Sequence, residues 1–167
     1  AVGVRDKNIV LITLARHRAG TARAAFTESL VGIALACSVA SQTGAVSDRA
    51  PLYVYFDGFS GGRVPLFTNL LTDAPRANVC LTLAHQFIGE LHDNFFRTVV
   101  SAAGTIIAFR VSGEDALRLE PELAPAVKAR DLVNLIPRAC FVKMHIDGAV
   151  SEPFSAEVLS VQGSSIV

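Results

Sequence analysis

Short apolar runs alternate with stretches of helical period along this chain, and that alternation predicts its elements. The clearest run is LYVYFDGF at residues 52–59, with Pro51 before it, one acid at Asp57, and Gly58, Gly61 and Gly62 at its close. A continuous apolar run rich in Val, Tyr and Phe predicts a strand buried on both faces of a parallel sheet. Similar runs at residues 8–14 (NIVLITL), 78–84 (NVCLTLA) and 104–111 (GTIIAFRV) predict three more strands, the last ending at Arg110. Between them, residues 21–42 place Phe26, Leu30, Ile33, Ala34 and Cys37 at helical spacing. Further helices are expected near 64–73, 113–122 and 130–135, with short helical pieces between Phe87 and Val100. Two strand-like runs, 140–146 and 150–159, flank Asp147-Gly148. Asp-Gly supplies the left-handed backbone of a tight turn, so they predict a β-hairpin. Residues 163–167 read as a frayed end.

The order β-α-β-α-β-α-β plus a hairpin predicts one α/β domain over residues 1–167, with a mainly parallel sheet flanked by helices. Parallel sheets hold ligands at the carboxyl ends of their strands. Three predicted strand ends carry polar groups there, at Asp57, at His85-Gln86 and at Arg110. Each has a plainer reading. Asp57-Gly58 is a turn-forming pair, Gln86 can be satisfied by backbone, and Arg110 can pair with Glu114 or Asp115 on the next helix.

Composition narrows the classes. Hydrophobic residues make up 51% of the 167, yet every apolar stretch is broken far short of a membrane span, and no signal peptide or membrane segment is expected. The formal net charge is zero, which gives no bulk electrostatic case for nucleic acid. His17 lies between Arg16 and Arg18 in a basic turn. Gly61-Gly62-Arg63 could cradle an anion but reads better as a flexible turn. The three cysteines, Cys37, Cys80 and Cys140, are widely spaced among apolar residues, so buried free thiols are expected. No CxxC, HExxH or paired-histidine spacing points to a metal cluster.

One catalytic motif stands directly after the LYVYFD strand. Gly58-Phe59-Ser60-Gly61-Gly62 satisfies G-x-S-x-G between a predicted strand and a predicted helix, the setting of a nucleophile elbow. The order Ser60, then Asp115 or Asp131, then His145 follows the α/β-hydrolase order of triad members. Against this, no HGGG-type oxyanion segment precedes the strand, and His145 falls inside a strand-like run. His92 comes too early unless the acid is Asp73.

The ordered set LYVYFDGF, NVCLTLAHQFIGEL, GTIIAFRVSGEDA, DLVNL and HIDGAVSEPFSAEVL resembles the C-terminal part of the hexameric RecA-like motor ATPases of the HerA and type IV secretion coupling-protein group. The resemblance runs from about Lys7 to Leu159. It implies that Asp57 is the Walker B acid that holds Mg²⁺, that Gln86 is the γ-phosphate sensor, and that Arg110 reaches a neighbouring subunit's nucleotide. It also implies ATP and Mg²⁺ as cofactors and a homo-oligomeric ring or an N-terminal ATPase segment as partner. DNA would be the translocated polymer, and the location cytoplasmic, at the inner face of the membrane within a secretion complex.

The departures point away from catalysis. The Walker B strand of that family continues Asp-Glu, whereas Gly58 stands in the glutamate's place here, and hydrogen cannot act as a base. Asp73-Ala74-Pro75-Arg76 replaces an acidic-Ala-Arg-Lys run, and Ser101-Ala102 replaces Gly-Asn. No G-x-x-x-x-G-K-[ST], nor any Gly-Lys pair, occurs in these residues, so the phosphates have no cradle. The family's P-loop strand lies upstream of the matching region, between the strands that end at Gln86 and Arg110. The expectation is therefore a fragment or relic with no ATPase activity of its own, whose strands 78–84 and 104–111 pair directly to close the sheet.

Overall fold

The computed structural model describes residues 51–58, 71, 74 and 78–159. The elements expected at 8–14 and 21–42, most of 64–73, and the tail at 163–167 lie outside the described residues, as do His17, Cys37, Ser60 and Gly61-Gly62-Arg63. By its contacts the chain divides into two compact units. β1 and β2 belong to the first, and Phe87–Gly89 with everything from Ala103 onward belong to the second.

In the first unit, β1 (Leu52–Asp57) and β2 (Val79–Ala84) run parallel, with Leu52 opposite Val79 and Asp57 opposite Ala84. Asn78 enters β2 at φ 56°, a left-handed conformation that asparagine tolerates, and its carbonyl accepts the Leu52 N–H at 3.0 Å. α1 (Asp93–Ala102) follows. Its Phe95 is buried against Phe56, Leu81, Leu83 and Leu91, and against Val99 one turn along the same helix. A neighbouring cluster joins Ala74 and Val79 to Leu52, Val54 and Leu81.

This packing corrects the expectation of a strand buried on both faces. Leu52, Val54 and Phe56 alternate inward, while Tyr53 and Tyr55 stand 60% and 72% exposed. Tyrosine reads as apolar in a run, but its hydroxyl lets it live at a wet surface. Cys80 and Thr82, opposite the tyrosines, are also exposed. Cys80 is thus a free exposed thiol, contrary to the expectation of burial; Cys140 is free and buried as expected.

The second unit is built on an antiparallel sheet. β3 (Thr105–Ala108) pairs with β4 (Ala139–Ile146), Thr105 opposite Met144 and Ala108 opposite Phe141. β5 (Ala149–Val150) and β6 (Phe154–Glu157) pair with β4 as well. The mixture of helix and strand agrees with the expected α/β class, while the described strands are not mainly parallel. Among the described residues, mixed helix and strand arrange as one parallel pair and one four-stranded antiparallel sheet. Among the described residues no pairing joins strands 78–84 and 104–111, since β2 and β3 fall in separate sheets, contrary to the expected closed sheet. An antiparallel partner needs no apolar crossover, so a short apolar run such as TIIA is compatible with either direction.

The hairpin forms as its turn residues require. Asp147 at φ 50° and Gly148 at φ 82° are both left-handed, the type I′ geometry that matches strand twist. Its returning run is not one continuous strand over 150–159. Between the pairs His145–Val150 and Val142–Phe154, β4 contributes two residues and the return contributes Ser151, Glu152 and Pro153. That extra residue is a bulge, and a proline in it donates nothing to the ladder.

Two helices connect β3 to β4. α2 (Gly113–Leu123) starts at Ser112, whose Oγ accepts the Asp115 N–H at 3.2 Å. Ala116, Leu119 and Leu123 form its buried stripe, and it ends before Pro125, which disfavours helical geometry at Ala124. α3 (Ala129–Val133) packs against α2 and buries Leu132. Its first amides are satisfied by carboxylates: Asp131 Oδ2 accepts the Lys128 N–H at 2.9 Å, and Glu120 Oε2 accepts the Ala129 N–H at 3.0 Å. From β4, Lys143 Nζ donates to the Glu122 carbonyl at 2.7 Å, near the end of α2 where a cation suits the helix dipole.

Candidate functional site

The residues singled out by sequence fall into two sets. Asp57 closes β1, opposite Ala84, so the parallel register brings it level with the end of β2 and the His85-Gln86 pair that follows. Asp57 and Gln86 are exposed and His85 is half-buried. The alternation of β1 puts Asp57 at a register position on the face that carries Tyr53 and Tyr55. Directly after it the backbone turns through Gly58 at φ 65°.

Arg110 belongs to the other set. β3 ends at Ala108, two residues earlier than the expected strand end, and Arg110 is exposed in the link to α2. It follows a strand of the antiparallel sheet, so the expected edge of three parallel strand ends reduces to the two at Asp57 and Gln86. Of the two acids that could pair with Arg110, Glu114 and Asp115, the second is engaged by backbone amides. Asp115 is 3% exposed, and its carboxylate accepts the Ile88 N–H at 3.2 Å and the Gly89 N–H at 3.0 Å.

The alternative triad fares as follows. Ser60 lies outside the described residues. Both candidate acids are bonded to backbone amides, Asp115 to Ile88 and Gly89, and Asp131 to Lys128. His145 is exposed on β4, opposite Val150 and donating its backbone N–H to the Gly104 carbonyl at 2.8 Å. Its place inside the antiparallel sheet agrees with the strand read from sequence, not with a late catalytic loop.

Among the described residues, Asp57 is the one acid at the ends of β1 and β2. Asp57 is one carboxylate facing Ala84 across the register, and among the described residues no three His, Cys, Asp or Glu side chains converge. The 167 residues contain no phosphate-cradling Gly-Lys sequence. No described helix is long and apolar enough to cross a membrane.

The grip of Asp115 on the turn at Ile88-Gly89 is the polar feature that sequence reasoning missed. The only cue was an acid in the first turn of α2 beside a second one, Glu114, where a helix dipole alone accounts for both. Comparison of the chain with protein-family models, curated proteins and solved structures finds no match.

Proposed function

We propose that this chain is a P-loop-less relative of the C-terminal portion of the HerA and coupling-protein motor ATPases, acting as an assembly or binding unit without ATPase activity of its own. The observation that carries the reading is the parallel pairing of β1 with β2, which sets Asp57 and the His85-Gln86 end at one edge. A Walker B strand and a sensor strand require that relationship, and an open parallel edge is where α/β proteins place their ligands. Gly58 and the missing Gly-Lys sequence support the inactive form of the reading. With no base and no phosphate cradle, neither positioning nor charge stabilisation of a transferring phosphoryl group is available. In the family, subunits assemble into rings that move DNA, so the retained role is self-association or association with a P-loop-bearing segment.

Calorimetry and sedimentation velocity on the 167-residue chain test the two halves of the proposal. The expected outcome is no measurable heat with ATP and Mg²⁺, together with concentration-dependent self-association. Micromolar affinity for ATP, or turnover above background, defeats the inactive reading. A strict monomer over a wide concentration range defeats self-assembly.

A further inference from the structure

We propose that the outer edge of β3 docks a second copy of this chain, β3 pairing antiparallel with β3 about a two-fold axis at Ile106. The proposal rests on the self-association proposed above and names the surface that carries it. Strand β4 fixes which groups of β3 point away from it. The His145 N–H donates to the Gly104 carbonyl at 2.8 Å, so in the antiparallel register Gly104, Ile106 and Ala108 are the residues that bond to β4. The other side of β4 agrees with that alternation, because Met144 bonds to Ser151 there. Thr105 and Ile107 therefore turn their N–H and C=O groups to the outer edge, where no strand pairs among the described residues. Both are exposed, Ile107 by 55%.

The two edges of this sheet are finished differently. The far edge carries the bulge with Pro153 in it, and the charges of Glu152 and Glu157, devices that keep an edge from pairing. β3 has neither. From Ser101 to Phe109 the chain reads SAAGTIIAF, without a charge or a proline, and its β-branched Thr105, Ile106 and Ile107 suit strand addition. The edge is also self-complementary. With Ile106 opposite its own counterpart, Thr105 of each copy faces Ile107 of the other, and these pairs exchange N–H···O bonds on both sides of the axis. The isoleucine pair at the axis is the closer, non-hydrogen-bonded kind in which side chains pack best. Arg110 falls opposite Ala102 in this register, so no like charges meet. A strand of four residues buries little area, so the dimer is a weak, concentration-dependent one.

Amide hydrogen exchange of the whole chain, read by NMR over a range of concentrations and paired with sedimentation velocity, tests the edge. The Thr105 and Ile107 amides are expected to exchange more slowly as concentration rises, while the Ile106 amide, bonded to β4, stays protected throughout. Thr105→Lys and Ile107→Glu each put an unpaired charge on the edge and are expected to weaken self-association by about tenfold or more. In the proposed register the double variant T105K/I107E sets lysine opposite glutamate twice, so it should self-associate again. The two single variants should likewise associate with each other when mixed. Protection of the Ile106 amide shows that each variant is folded, and the wild-type exchange pattern decides the matter if one is not. Self-association untouched by the single substitutions overturns the proposal, and so does a double variant that fails to restore it. Thr105 and Ile107 amides protected equally at every concentration would mean that the edge is filled within one chain, which overturns it too. ATP turnover would defeat the ATPase-relative reading and leave the exchange pattern of β3 as it is. Self-association indifferent to both substitutions would strike the edge and leave that reading standing.

Discussion

Ser151 and Met144 bond twice across the hairpin: the Ser151 N–H donates to the Met144 carbonyl at 2.8 Å, and the Met144 N–H donates to Ser151 Oγ at 3.1 Å. The hydroxyl takes the part that a strand carbonyl plays in a regular ladder, which lets the bulge at Ser151–Pro153 form without stranding a half-buried amide. Ser151→Ala removes that acceptor and is expected to cost about 1 kcal/mol, whereas Ser151→Thr keeps it. Denaturant titration should show a lower midpoint for the alanine variant at unchanged slope. Equal midpoints for Ala and wild type would mean that water replaces the hydroxyl at no cost.

The turn beside it separates two kinds of glycine. A Cβ at Gly148 would meet nothing within 4 Å, yet its φ is +82°. Gly148→Ala is therefore expected to destabilise by about 1 kcal/mol through backbone strain alone. Gly104 is equally open but carries no positive φ. Gly104→Ala should be neutral or stabilising by about 0.4–1 kcal/mol, because alanine has less freedom to lose on folding. Thermal melts of the pair decide this, and a loss at Gly104 as large as at Gly148 would contradict it.

Leu132 is the fully buried anchor of α3, a helix of five residues that is too short to stand on propensity. Leu132→Ala should cost about 2–5 kcal/mol, a large share of the stability of a small domain. The loss should appear first as faster amide exchange in α3 and α2. A melting temperature within a degree or so of wild type would show that the site collapses to fill the cavity.

How far the sequence could be read depended on whether the determinant was local. The hairpin and α2 were legible because Asp147-Gly148 and Ser112 carry their conformational preference within a few residues. So was the strand at 52–57, and so were the acid and the polar pair at the ends of β1 and β2. The partners of a strand are not local. TIIA has no periodicity that distinguishes a parallel neighbour from β4, which lies some thirty residues on. Tyr53 and Tyr55 concealed an exposed face, since a run of apolar letters looks the same whether aromatic rings point to core or to water. The Asp115 hydrogen bonds join residues 26 and 27 apart, and their donors are main-chain amides that no residue type announces.

The G-x-S-x-G sequence gives a clean chemical test. A fluorophosphonate probe labels an activated serine and ignores an ordinary one. With both candidate acids tied to backbone amides, no labelling of Ser60 is expected, and Ser60→Ala should not change the probe's background. Stoichiometric modification at Ser60 would put the hydrolase reading first.

Gly58, at φ 65°, stands where the resembled family keeps a glutamate. Any side chain restored there must enter the left-handed region, at about 1–2 kcal/mol for an L-residue. Glutamate is too long for the local backbone bonds that ease asparagine or aspartate into that conformation. On the proposed reading, the glycine has done more than delete a base. It has let the main chain settle on a course that the base could not follow unstrained, so the single substitution that looks like a reversion runs uphill. Such a step works as a ratchet: a chain that has passed it is held away from hydrolysis by its backbone, not merely by a missing carboxylate.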